Sequence, residues 1–252
     1  MSNRDTGDAA DKAKATSDEP GDLERFFRHG VHRLIHKPPN YFPIYERHLE
    51  RFRNRPVTML EIGVFHGGSL QMWKSYLGPE AQIWGVDIDE RCKALEEDQI
   101  AIRIGDQSDR SFLRKLVSEM PEIDIVLDDG GHMMQQQIRS FEEIYPHVAK
   151  TGVYLCEDVG TSYWRSYGGG FRRRGTFIEY SKDLVDRLHA ESIDRSRRST
   201  LLGYLQPWKP RPPALDDFTN STLSMSFYEN MVVFEREPRV ERPDEMIGKP
   251  SF

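Results

Sequence analysis

From Val57 to Asp158 short apolar runs alternate with amphipathic stretches, as strands buried on both faces of a parallel sheet alternate with crossover helices. Five strands are predicted, over residues 57–63, 82–87, 100–104, 123–127 and 152–156. Between them, Leu70, Met72, Trp73 and Tyr76 mark one helix, and Ile138, Phe141, Ile144 and Tyr145 mark another over 133–145, stopped near Pro146. Ahead of this core, Leu23, Phe26, Phe27, Val31, Leu34 and Ile35 recur at helical spacing, with Asp22 placed to cap. After Pro38-Pro39 a second helix begins near Phe42, with Ile44, Tyr45, His48, Leu49 and Phe52 on its inner stripe. Behind the core, Phe177, Tyr180, Leu184, Val185 and Leu188 indicate a helix. Residues 221–228 and 231–235, around Glu229-Asn230, read as a closing hairpin.

This pattern divides the chain into a tail (1–20), a helical segment (21–56), a core domain (57–237) and a C-terminal tail (238–252). The first tail lacks Val, Ile, Leu and aromatic residues and reads as disordered. Within the core domain, 195–218 is long and proline-bearing, as a lid or an interface arm would be; the second implies a homo-oligomer. The chain of 252 residues has 37% hydrophobic and 30% charged residues, and its net charge of -6 disfavours a general nucleic-acid binder. Two cysteines, Cys92 and Cys156, make no disulfide framework and fit a reducing, cytoplasmic setting. No apolar run is long enough for a membrane span, and no signal peptide opens the chain.

Chemistry concentrates at the carboxyl ends of the strands, where open α/β sheets bind ligands. The fourth strand runs into Asp128-Asp129-Gly130-Gly131-His132 and the fifth into Glu157-Asp158. Several carboxylates brought together must protonate or find a cation, and a hard divalent ion such as Mg²⁺ tolerates a partial carboxylate set completed by water and substrate. Helix capping and arginine pairing are the alternatives. The first strand ends in a loop with Gly63, Gly67 and Gly68, suited to a tight turn and to polar groups at the next helix start, but Gly-x-Gly-x-x-Gly is absent, which disfavours a nicotinamide oxidoreductase. Asp87 closes the second strand, where a carboxylate can accept from ribose hydroxyls, and Asp106-Gln107-Ser108 follow the third. An aromatic, glycine-rich loop at 161–170 could stack on a ligand or pack on the core.

Five βα units, a glycine loop, an acid after the second strand and a terminal hairpin resemble the class I S-adenosylmethionine methyltransferases. The resemblance implies a Rossmann-like α/β fold: a seven-stranded sheet, parallel except for a C-terminal antiparallel hairpin strand, with helices on both faces. More narrowly, Glu61-Ile62-Gly63, Gly67-Gly68-Ser69-Leu70, Met72-Trp73, Gly85-Val86-Asp87-Ile88-Asp89, the 128–132 loop and Glu157-Asp158 resemble the metal-dependent macrolide sugar O-methyltransferases of the mycinamicin type. By that resemblance Asp129, Glu157 and Asp158 are expected as metal ligands and His132 as general base. Glu61, Gly63, Gly67, Ser69, Asp87, Asp106, Gln107 and Asp128 are expected at the S-adenosylmethionine site.

The glycine loop is shorter than the family pattern. The implied reaction is methyl transfer to a hydroxyl of a sugar or glycoside, with Mg²⁺ or another divalent cation orienting vicinal hydroxyls and His132 taking the proton. The implied acceptor is a small molecule or oligosaccharide, with neither nucleic acid nor membrane as partner. His66, in the glycine loop, is a competing histidine. A catechol-like phenol as acceptor, or a non-catalytic binding protein, are the rival readings.

Overall fold

The computed structural model describes residues 19–30, 33–193, 215–238 and 246–248. The tail over 1–18, most of the 195–218 segment and most of 238–252 lie outside the described residues. Seven strands form one sheet in the order β3-β2-β1-β4-β5-β7-β6. They are β1 (Thr58–Ile62), β2 (Gln82–Asp87), β3 (Ile100–Ile104), β4 (Ile123–Asp128), β5 (Val148–Cys156), β6 (Thr222–Tyr228) and β7 (Met231–Arg236). The first five are parallel, and β7 runs antiparallel to both β5 and β6. Apolar residues alternate between two buried cores because successive strand residues face opposite sides. Met59, Leu127 and Leu155 point to one core; Leu60, Val126 and Tyr154 point to the other.

The first core is covered by α1 (Asp22–His29), α2 (Phe42–Leu49) and α3 (Gly68–Leu77). The second is covered by α4 (Arg110–Glu119), α5 (Met134–Ile144), α6 (Phe177–Leu188) and the short α7 (Asp217–Ser221). Among the described residues no helix is long and apolar enough to cross a membrane.

The predicted strands, the helices after β1 and β4, and the hairpin are all present. The first helix is shorter than its apolar spacing suggests. It ends at His29, with Gly30 as an extended C-cap, and from Arg33 the chain is an extended strap. There Ile35 and Lys37 are buried while Leu34, His36 and Pro38 are exposed, a period of two rather than 3.6. Val31 lies outside the described residues. Asp22 does not cap α1: the N-cap is Gly21, and Asp22 sits in the first turn, paired with Arg25 and Arg53. After β2 the chain forms a 3-10 turn, Glu90–Leu95, capped by Asp89, whose carboxylate accepts from the Arg91 amide.

Candidate active site

The sheet register sets the site. Ile62 of β1 pairs with Asp128 of β4, and Asp128 with Cys156 of β5, so three neighbouring strands end level. The chain reverses its strand order between β1 and β4, the position where open α/β sheets leave a crevice. A cavity of about 690 Å³ lies along this edge, from Asp87, Ile88 and Asp106 beyond β2 and β3 to Asp129, His132 and Asp158 beyond β4 and β5.

Strand parity sorts the acids. Glu61, Asp129 and Glu157 fall on the face of Met59, Leu127 and Leu155, where Lys37 of the strap meets them. Lys37 Nζ lies 2.6 Å from Asp129 Oδ2, and 3.0 and 2.9 Å from the two oxygens of Glu157. Tyr45 donates its hydroxyl to Glu157 Oε1 at 2.5 Å. Burial alone would lower the Lys37 pKa, but Asp129, Glu157 and Glu61 outweigh it and hold the ammonium protonated. Burial pushes the Glu157 carboxyl up, as does Asp129, while Lys37 and Tyr45 pull it down. Burial raises Glu61 to about 7, partly offset by Lys37.

The outer side of the cluster is different. His132 Nε2 lies 3.4 Å from Asp158 Oδ2 and 3.8 Å from Asp129 Oδ1. One donor atom from each of Asp129, His132 and Asp158 falls within a sphere of contacts no wider than 4.8 Å. His132 and Asp158 both adopt positive φ, 54° and 49°, in the left-handed region, which is uncommon for non-glycine residues although Asp and His enter it more readily than most. Such strain persists only where surrounding structure fixes it and concentrates at functional sites. Here Thr161 Oγ1 donates to the carbonyls of both residues, and Tyr41 donates to Asp158 Oδ1 at 2.7 Å. His132 Nδ1 is buried without a protein partner.

The expected cofactor residues split into two groups. Gly63, Asp87, Asp106 and Gln107 line the cavity. Asp87 Oδ2 accepts from the amides of Val64 and Phe65, so it also shapes the glycine loop, and Asp89 does the helix capping. Gln107 accepts from the Gly131 amide and donates to Asp128, anchoring the fourth-strand loop. Glu61, Gly67, Ser69 and Asp128 stand behind the wall. Ser69 donates to Glu61, Gly67 is the left-handed N-cap of α3, and Asp128 accepts from Gln107 and Tyr154. Burial raises Asp128 to about 6.

Of the expected metal residues, Glu157 lines the cavity but commits both oxygens inward. His66 lines the cavity at the glycine loop and is not one of the three converging donors. Of the aromatics of the 161–170 loop, Tyr163 and Trp164 are exposed and outside the cavity lining, and Trp164 meets the half-buried Tyr167 with ring centroids 5.9 Å apart. Lys37, Tyr41 and Tyr45 escaped the sequence reading as site residues. Tyr45 lay on a predicted inner stripe; nothing local distinguished Lys37.

Residues 60–159 match a family model described as a methyltransferase domain. The chain is 35% identical over 237 residues to the 8-demethyl-8-(2-methoxy-alpha-L-rhamnosyl)-tetracenomycin-C 3'-O-methyltransferase of Streptomyces olivaceus, spanning 88% of this chain and 56% of that protein. It is 37% identical over 165 residues to the mycinamicin VI 2''-O-methyltransferase of Micromonospora griseorubida, spanning 61% of this chain and 40% of that protein. The solved structure of MycE methyltransferase from the mycinamycin biosynthetic pathway, in complex with Mg, SAH and mycinamycin VI, superposes with a TM-score of 0.67. Identity there is 32%, over 79% of this chain and 49% of that one. The chain thus spans about half the length of the curated relatives it matches. Sheet order, strand-end acids and these likenesses agree: the chain has the class I S-adenosylmethionine-dependent methyltransferase fold and resembles the metal-dependent macrolide sugar O-methyltransferases.

Proposed function

We propose that this chain transfers a methyl group from S-adenosylmethionine to a hydroxyl of a sugar or glycoside in a reaction that needs a divalent cation, Mg²⁺ in the simplest case. The observation that carries the proposal is the convergence of Asp129, His132 and Asp158 within 4.8 Å at one end of a cavity whose other end carries Asp87 and Asp106. The carboxylate oxygens of Asp129 and Asp158 fit a hard divalent ion, and His132 Nε2, 3.4 Å from Asp158 Oδ2, is placed to carry a proton beside it. Asp129 and Asp158 are the carboxylates that face the ion, and Glu157, the third expected by resemblance, stands behind Asp129 with both oxygens on Lys37. A bound divalent ion supplies a Lewis acid that orients two neighbouring hydroxyls and eases loss of a proton.

The protein does the rest. Gly63, Asp87, Asp106 and Gln107 orient the methyl donor along the strand ends, with Glu61, Gly67, Ser69 and Asp128 supporting that wall. His132 takes the hydroxyl proton at Nε2, where the carboxylates of Asp158 and Asp129 face the imidazolium that forms. The helical segment before residue 57 and the domain over 57–237 act as one catalytic unit in this reading. The 195–218 segment belongs to acceptor closure or to a homo-oligomer contact in this reading. The acceptor is a small molecule or oligosaccharide rather than nucleic acid, in keeping with the net charge of -6. Two free buried cysteines support a reducing, cytoplasmic setting.

The test is calorimetric titration of S-adenosylmethionine into the full chain with Mg²⁺ and with chelator, followed by methyl transfer to a panel of glycosides that includes a catechol. Cofactor is expected to bind in both conditions. Transfer to a glycoside is expected to require Mg²⁺ and to fall by roughly a hundredfold or more in Asp129→Ala, the scale of losing one electrostatic stabiliser of a transition state. Transfer that survives chelation, or preference for the catechol, overturns the reading.

A further inference from the structure

We propose that Lys37 is a positioning residue that preorganises the acidic cluster for its divalent cation, an inference that rests on the metal-dependent reading above. An ammonium has three N–H donors. Lys37 has three carboxylate oxygens within hydrogen-bond reach: Asp129 Oδ2 at 2.6 Å, Glu157 Oε2 at 2.9 Å and Glu157 Oε1 at 3.0 Å. Its side chain is 2% exposed and the Glu157 side chain 1%, so neither charge has water to fall back on. Holding Asp129 by Oδ2 leaves Oδ1 directed toward His132 and, across it, Asp158. Repulsion between Asp129 and Glu157 would otherwise drive the two apart before any cation arrived. A planar guanidinium cannot offer the same three directions from one point.

The strap that carries Lys37 is fixed independently of it. The Arg33 amide donates to Gln71 Oε1 at 3.0 Å, Arg33 Nη1 donates to the Leu95 carbonyl at 2.8 Å, and Ile35 is in the core. Arg33 and Leu34 carbonyls pack so close to Gly68 that a Cβ there would sit 2.2 and 2.6 Å from them. His36 and Pro38, on either side of Lys37, line the cavity. Loss of the ammonium should therefore loosen the carboxylates while leaving the cofactor wall in place.

The experiment compares native protein with Lys37→Met and Lys37→Gln as full chains, reading Mn²⁺ binding by electron paramagnetic resonance and S-adenosylhomocysteine binding by calorimetry. Lys37→Gln removes the charge and one donor on a slightly shorter side chain while keeping a polar amide in the pocket, so it answers the question if Lys37→Met fails to fold. Mn²⁺ affinity is expected to fall by about tenfold or more, the scale of losing an outer partner of a metal ligand, with S-adenosylhomocysteine affinity held within about threefold. In turnover, the Mn²⁺ concentration giving half-maximal rate should rise by the same roughly tenfold factor while the rate at saturating Mn²⁺ stays within about threefold of native. A folded variant that binds Mn²⁺ as tightly as native, or more tightly because a repelling charge has gone, overturns the proposal alone. Native protein that binds no Mn²⁺ overturns the metal-dependent reading and this proposal with it.

Discussion

Gly63 shows how narrow the geometry is at the residue scale. Its φ is +96°, and a Cβ added there would lie 2.1 Å from the Asp129 carbonyl oxygen and 2.7 Å from its carbon, both backbone atoms that no rotamer change can move. Gly63→Ala is expected to cost on the order of 1–3 kcal/mol of stability in urea unfolding and to weaken S-adenosylmethionine binding, since relief requires the 128–132 loop to shift. The sequence marked Gly63 through its place after a strand, and the acids through theirs. It could not say that the glycine makes room for Asp129. Lys37 was not legible at all: the chain has 35 lysines and arginines, and only the folded strap brings this one to the acids. Clustered carboxylates need a counter-charge, and the chain itself carries part of it in the Lys37 ammonium.

Elements were legible where period and punctuation agreed. The strands ahead of Gly63, Asp106 and Asp129 are apolar runs closed by glycine or acid, and they appear close to where the pattern puts them. The first helix was overextended because Leu34 and Ile35 continue a helical spacing by coincidence; Gly30 and the two-residue alternation of the strap were the contrary signals. On the opposite face α5 is fixed by one ring. Phe141 stacks on Tyr145 with centroids 4.6 Å apart, and approaches Phe234 of β7 at 4.5 Å and Tyr154 of β5 at 5.2 Å. It also meets Phe177 and Tyr180 of α6 and Phe218 of α7. Phe141→Ala should lower the unfolding free energy in denaturant by about 3–5 kcal/mol, the range for removing a buried aromatic ring.

At the scale of the whole molecule, the segment before the core is tied to the last strand through Glu235. Its Oε1 lies 3.3 Å from His48 Nδ1 and 2.6 Å from Arg51 Nη1, and its Oε2 accepts from Ser224 at 3.1 Å. His48, and then Arg51, hold this carboxyl at about 2, below the ordinary 4.5 and against the opposing effect of burial. A depressed carboxylate stabilises the fold above its unfolded pKa, and that contribution is lost as pH falls toward the folded value. Between pH 5 and pH 3 native protein should lose about 2 kcal/mol more unfolding free energy than Glu235→Gln, measured by urea titration. That seven strands form one sheet, parallel except for one hairpin strand, was legible only by resemblance, because periodicity does not say which strands are neighbours.

The last hairpin also completes the site. The Val159 amide donates to the Asn230 carbonyl, and Tyr41, which holds Asp158, reaches that same carbonyl across 189 residues of sequence. A growing chain therefore contains every acid and the histidine long before it can fix Asp158 in its left-handed turn. Contacts this far apart in sequence form late and slowly. Catalytic competence should therefore arise at the end of folding, when the hairpin fixes Asp158, whereas the wall formed by Gly63, Asp87, Asp106 and Gln107 needs none of those last contacts.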